Sequence, residues 1–197
     1  MQFCDEQDFG FGWIDDASLR RTSHALVEGG GVWLIDPVAW PEAERRAADL
    51  GEIRGVVTLL DRHERDAPAV AQRLGVTHHA VPTAKLDAAP FEFLPVASSR
   101  WWREVALWWP ERRVLVCADA VGTVGYFRAR GERIGVHPFL RLRPPRSLRR
   151  VFPEHVLTGH GAGVHQDAAH ALQEALRTAR QRLPAALWAA AQRSRRR

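Results

Sequence analysis

The chain is poor in the residues that would make several functions readable at once. It has two cysteines, Cys4 and Cys117, a single lysine, Lys85, and no asparagine. Two thiols so far apart in sequence form neither a disulfide framework nor a zinc-ribbon spacing, so reduced cysteines are expected. No apolar stretch reaches the roughly 18 residues that span a bilayer. The opening Met1-Gln2-Phe3-Cys4-Asp5-Glu6 has neither the basic region nor the apolar segment of a secretory signal, and a cytoplasmic location is expected. There is no phosphate-cradling glycine loop, no dinucleotide fingerprint, no serine nucleophile elbow and no activated-cysteine setting. Covalent catalysis and nucleotide-dependent chemistry are therefore not expected.

What is present is an ordinary globular composition, 46% hydrophobic and 26% charged. This fits one domain over residues 1–197, with a basic tail at about 193–197 expected to be disordered. The formal net charge is +5, carried almost wholly by arginine. Arg141, Arg143, Arg146, Arg149 and Arg150 cluster, and Arg193, Arg195, Arg196 and Arg197 close the chain. Such groups can contact phosphates, but no nucleic-acid-binding motif accompanies them, and a solvated face is the expected reading. The expected partner is a small-molecule ligand, with neither a membrane nor a nucleic acid. Oligomeric state is not encoded legibly.

The elements follow from turn residues and periodicity. After an irregular opening, Ser23 to Glu28 and Val32 to Ile35 read as a hairpin across Gly29-Gly30-Gly31, because glycine supplies the positive φ of a tight turn. Pro41 to Leu50 reads as a helix, with Pro41 in its first turn and Gly51 as its stop. A strand Gly55 to Leu60, a helix Asp66 to Leu74 and a strand Val76 to Val81 follow. Phe91 to Val96, Val105 to Trp109 and Arg113 to Cys117 read as further strands, the last two joined antiparallel through Pro110-Glu111-Arg112. A helix over Arg143 to Arg150, a strand His155 to Thr158, a long helix Gln166 to Arg182 ended by Pro184 and a short helix Ala185 to Gln192 complete the chain.

Four apolar runs stop abruptly at polar residues able to bind metal. They are Val32 to Ile35 before Asp36-Pro37, Val56 to Leu60 before Asp61-Arg62-His63-Glu64-Arg65-Asp66, Val114 to Ala118 before Asp119, and Val156 to Thr158 before Gly159-His160-Gly161. In order and character they resemble the metallo-β-lactamase superfamily over nearly the whole chain. The resemblance implies an α/β fold, a four-layer αββα sandwich, with loops at the strand ends meeting along one edge. It also implies one or two metal ions there and hydrolysis of acyl or phosphate bonds.

Where that family writes H-x-H-x-D-H, this chain writes Asp61-Arg62-His63-Glu64-Arg65-Asp66. Carried over by position, the first two histidines fall on Asp61 and His63, and the aspartate and third histidine on Arg65 and Asp66. The next family histidine falls near Arg100, the bridging aspartate on Asp119 and the last histidine on His160. A zinc ligand must offer a lone pair, and guanidinium has only donors, so Arg65 and Arg100 cannot ligate. An eroded site without ordinary dinuclear hydrolase activity is expected. Two versions stand side by side. In one, Asp61, His63, Asp119 and His160 hold a single zinc, iron or manganese ion, Asp119 orients water, and Asp66 completes the set or acts as base in hydrolysis of a small ester, thioester or lactone. In the other there is no metal, and Arg65 and Arg100 substitute its charge by pairing with Asp61, Asp66 or Asp119. Asp36 matches the family's strand-end aspartate and is expected to brace loops. His24, His78, His79, His137 and His165 read as structural or wall residues. Trp101, Trp102, Trp108 and Trp109 cannot all point inward from one strand, so some are expected to line a groove.

Overall fold

The computed structural model describes residues 1–16, 19–63 and 65–194, so Glu64 and most of the expected tail at 193–197 lie outside the described residues. The chain opens with four antiparallel strands, β1 (Gln2–Gln7), β2 (Gly10–Ile14), β3 (Thr22–Glu28) and β4 (Gly31–Ile35). Helix α1 (Pro41–Leu50) then carries the chain back to β5 (Glu52–Thr58), and α2 (Ala67–Leu74) to β6 (Thr77–Ala80), both strands adding in parallel. The second half forms β7 (Glu92–Ser99), β8 (Trp102–Trp109), β9 (Val114–Cys117), the short ribbon β10 (Val121–Gly122) and β11 (Gly135–Val136), then β12 (His155–Thr158), α3 (Ala168–Thr178) and α4 (Leu183–Ser194). The sheets run β1-β2-β3-β4-β5-β6 and β12-β9-β8-β7.

The layering follows from which face each strand buries. Leu26, Trp33, Ile35 and Val57 of the first sheet meet Val105, Leu107, Trp109 and Val116 of the second in one apolar core between the sheets. The opposite face of the first sheet, with Trp13, Ala25, Leu34 and Val56, packs on Ala43 and Ala47 of α1 and Val70 of α2. The outer face of the second, with Ala106, Leu115 and Val156, packs on Leu172, Ala175 and Leu176 of α3. Each sheet is apolar on both faces, so helices must cover the outer ones, and the result is the expected αββα sandwich. Burying each large aliphatic side chain contributes about 1.5–3 kcal/mol.

The β3–β4 hairpin closes on Gly29 (φ 55) and Gly30 (φ 75), the paired positive values a two-residue hairpin turn requires. Helix α1 runs Pro41–Leu50 and β12 runs His155–Thr158, the bounds read from sequence. Three expectations change. The opening is two strands, β1 and β2, rather than irregular chain. Within the helix expected over Arg143 to Arg150 only a 3₁₀ turn, Ser147–Arg150, forms, because Pro144 and Pro145 bring no N–H groups. The long helix is limited to Ala168–Thr178, and Pro184 lies inside the first turn of α4, where its missing N–H has no intrahelical partner to lose. Among the described residues, no helix is long and apolar enough to cross a membrane.

Candidate metal centre

Two parallel strand pairs, β4–β5 and β12–β9, end along the same edge of the sandwich. The edge is tied across the sheets by Thr22 N–H donating to Gly159 O at 2.8 Å. Asp36, just past β4, takes a left-handed φ of 46, and its Oδ1 accepts the Leu59 N–H at 2.9 Å. That bond holds the loop leading to His63. Asp119 follows β9, and the backbone N–H groups of Asp119 and Ala120 both donate to Oε1 of buried Glu104, at 2.9 and 2.7 Å. His160 follows β12, with the Phe127 ring stacked against it at 5.5 Å between centroids.

These three loops bring His63, Asp119 and His160 to one point. His63 Nε2 lies 3.2 Å and His160 Nε2 3.1 Å from Asp119 Oδ1, and the two Nε2 atoms are 3.3 Å apart. Three ligand atoms at about 2.0–2.1 Å from a tetrahedral ion stand roughly 3.3 Å from one another, so the triangle has the dimensions of one face of a zinc-type coordination shell. Despite its two close neighbours, Asp119 Oδ1 is buried and receives no hydrogen bond of acceptable direction. Among the described residues, no other set of three or more His, Cys, Asp or Glu side chains gathers its ligand atoms within 4.8 Å of one another.

The outer contacts bear on which nitrogen carries the proton. Leu19 O, 2.9 Å from His160 Nδ1, can only accept, so in neutral His160 that nitrogen is protonated and Nε2 offers its lone pair. His63 Nδ1 stands between Asp36 Oδ2 at 3.7 Å and Arg65 Nη2 at 3.4 Å. A proton on Nδ1, directed at Asp36, frees Nε2 to ligate, whereas a bare Nδ1 facing Arg65 puts the proton on Nε2. Burial works to raise the Asp119 carboxyl, yet His160 and His63 outweigh it and hold it far below the usual carboxylate range. Burial works to lower His63, but Asp119 and Asp36 outweigh it and raise the imidazole above its ordinary value.

Arg65 enters the site from beneath. It is half-buried, with Nη1 donating to Thr22 O (2.7 Å) and Asp36 O (2.8 Å) and Nη2 to Gly159 O (2.9 Å). Burial lowers its pKa while Asp36 and Asp119 work in the opposite direction. It therefore pairs with backbone carbonyls rather than in the bidentate carboxylate contacts expected from sequence. Asp61 lies off the triad, its Oδ2 taking the Arg103 N–H at 3.2 Å. Asp66 Oδ2 accepts the Ala39 N–H at 2.8 Å and braces the loop after Asp36. Arg100 is exposed on the β7–β8 turn, its guanidinium 4.1 Å from the centroid of the Trp101 ring, and is not brought to the site.

His78 bonds Thr58 Oγ1 at 2.8 Å and His79 faces the Trp33 ring, both away from the triad. Trp109 and Trp102 pack in the cluster between the sheets, Trp108 packs on the outer face and Trp101, before β8, is exposed; alternation along β8 accounts for Trp108 and Trp109 but not for Trp102 at the strand's start. His137, expected as a wall, is packed against Trp102, Tyr126 and Phe127, and burial pushes its imidazole down to about 4. Sequence reasoning missed Glu104. Burial raises its carboxyl to about 7, against bonds from Trp102 Nε1 and the two backbone amides that work to lower it. The only signal was a lone acid amid the apolar residues of β8.

No family model matches the chain, and no curated protein does. Solved structures do. The DIM-1 metallo-β-lactamase superposes with a TM-score of 0.59 at 11% identity, covering 90% of this chain and 97% of its own. The FIM-1 metallo-β-lactamase from Pseudomonas aeruginosa, in its mono-zinc form, gives 0.57 at 11% identity over 91% and 96%. A metallo-β-lactamase from Erythrobacter litoralis gives 0.59 at 10% identity over 89% and 95%. Identities this low speak to architecture alone, and with the sheet order and layers above they establish that this chain has the metallo-β-lactamase fold.

Proposed function

We propose that this is a cytoplasmic metallo-β-lactamase-fold hydrolase whose metal site is reduced to one ion, without ordinary dinuclear activity, acting on a small ester, thioester or lactone. The observation that carries the reading is the triangle of His63 Nε2, Asp119 Oδ1 and His160 Nε2, with sides of 3.1–3.3 Å, around an orphaned buried carboxylate oxygen. The donor set fits a borderline divalent ion, with two imidazoles, one carboxylate and a fourth position left open. A zinc, iron or manganese ion held there would polarise an acyl oxygen and lower the pKa of water. His63 and His160 would hold the ion, each oriented through Nδ1. Asp119 would ligate through Oδ1, leaving its other oxygen to orient water. Arg65 supplies fixed positive charge next to Asp36 and Asp119, and neutral His137 with Tyr126 walls the substrate side. That a solved neighbour is described in a mono-zinc form supports the stoichiometry.

A metal-free ligand-binding protein is the second reading. The observation favouring it is that one added proton on His63 turns the triad into an ion pair, with Arg65 already in place as a built-in cation. Elemental analysis of protein purified without added metal separates the two, run beside a His63→Ala, Asp119→Ala double variant. We expect about one equivalent of ion, lost in the variant, as the single triad implies. Protein that takes up none after incubation with each ion sinks the hydrolase reading.

A further inference from the structure

The stretch between β11 and β12 presents an unusual surface. From 139 to 150 its exposed residues are Phe139, Leu142, Arg143, Arg146, Arg149 and Arg150, with no acidic, amide or hydroxyl side chain among them. This stretch is tied to the end of α3, where Arg180 Nε donates to Leu142 O at 2.8 Å and Arg149 Nη2 to Leu176 O at 3.4 Å. Helix α4 packs on the 3₁₀ turn Pro138–Leu140, and its own exposed residues include Leu187 and Trp188. Phe139 is 75%, Trp188 66%, Leu142 60% and Leu187 49% exposed. Among the described residues, none of the four arginines between 143 and 150 is in an ion pair, as also holds for exposed Arg62, Arg128 and Arg177 elsewhere, so what sets this face apart is four such arginines beside exposed apolar side chains.

Large apolar groups left in water among unpaired guanidiniums call for an occupant that satisfies both. A second copy of the chain would set these arginines against their own like. A single-stranded nucleic acid offers phosphates, but its bases stack on aromatic faces and leave Leu142 and Leu187 unused. An anionic lipid surface meets both demands, taking Phe, Leu and Trp into the headgroup boundary while lipid phosphates receive the arginines. We propose that this face docks the protein peripherally on a membrane surface rich in anionic lipid. The lack of a spanning run, which led to the expectation of no membrane partner, does not bear on such an attachment. Nor does the docking depend on whether the site holds metal.

The test is sedimentation of the full chain with phosphatidylcholine vesicles, with and without phosphatidylglycerol, in low and high salt. Binding is expected only with the anionic lipid and should weaken as salt rises. Each arginine near such a surface contributes about fivefold in partitioning, so an Arg143→Gln, Arg146→Gln, Arg149→Gln variant should bind on the order of a hundredfold less. Phe139→Ser with Trp188→Ser should also weaken binding, with thermal midpoints checked to show that both variants fold. Equal binding to neutral vesicles, no vesicle binding, or vesicle binding unchanged in both variants would overturn the proposal. Tight binding of a single-stranded RNA oligonucleotide without vesicle binding would overturn it in favour of nucleic acid.

Discussion

Among the described residues, two clusters set one aspartate between two histidines, and they use the same groups differently. In the first, His63 and His160 turn their Nε2 atoms to a single oxygen of Asp119, so three donors meet at one point. In the second, Asp5 divides its oxygens. Oδ1 accepts the Gly163 N–H at 2.8 Å and lies 3.0 Å from His165 Nε2, while Oδ2 lies 3.6 Å from His24 Nε2 and 3.4 Å from Cys4 Sγ. The hydrogen bonds of Asp5 pin β1 to the loop after β12, with His24 of β3 close by, and neighbours spread over both oxygens leave no common point for an ion. Residue type supplies the capacity to ligate, and convergence decides whether that capacity is used.

The widest way to break this comparison is Asp5→Ala. Removing the carboxylate leaves His165 and the Gly163 amide without their acceptor and His24 without its neighbouring anion, and we expect a loss of about 3–5 kcal/mol in denaturant unfolding. Metal content per folded molecule should not change. A stable Asp5→Ala protein would show that the second cluster is not a staple, and one that loses its ion would show that the clusters are not independent.

Asp36→Asn sharpens the other side. Its amide cannot serve His63 Nδ1 as the carboxylate does, so ion affinity should fall about 10–100-fold by competition with a chelating dye. An unchanged affinity would mean that Asp36 braces Leu59 without setting the His63 tautomer. Glu104→Gln tests the support beneath Asp119. Gln keeps one acceptor oxygen for the two backbone amides but sets its NH₂ against Trp102 Nε1–H, for a loss of about 1–2 kcal/mol. A variant as stable as the parent would show the Trp102 bond to be expendable.

The smallest effect is in acid. Burial works to raise Asp5, but His165, His24 and the Gly163 amide prevail and depress its folded-state pKa. A depressed carboxylate contributes stability that is present above its unfolded pKa, about 3.9, and is lost as pH falls toward the folded value. Stability of the parent should therefore fall more steeply below about pH 4 than that of Asp5→Asn. Parallel curves from denaturant titrations at a series of pH values would refute the assignment.

Much of the architecture is legible because its strands are continuous apolar runs and its helices carry clear start and stop residues. The first two strands are not. Gln2-Phe3-Cys4-Asp5-Glu6-Gln7 is a polar edge, and Gly10-Phe11-Gly12 reads as a loop until the fold shows its use. A Cβ on Gly12 would stand only 3.0 Å from both Cys4 Sγ and His24 Cδ2. His63, Asp119 and His160 are legible as polar residues ending apolar runs. Asp61 looked equal to His63, and only the turn after β5, which aims Asp61 at Arg103, separates them. Glu104 is hidden because its role arises from a neighbouring strand's backbone, which no local pattern announces.

Arg65 has a consequence for how such a site can change. Its guanidinium holds the carbonyls of Thr22, Asp36 and Gly159, which belong to three separate strand ends. Arg65→Asp would set a carboxylate among three acceptors with no donor between them. Position 65 is thus reserved for a cation by the backbone around it, independently of the three side chains that could ligate an ion.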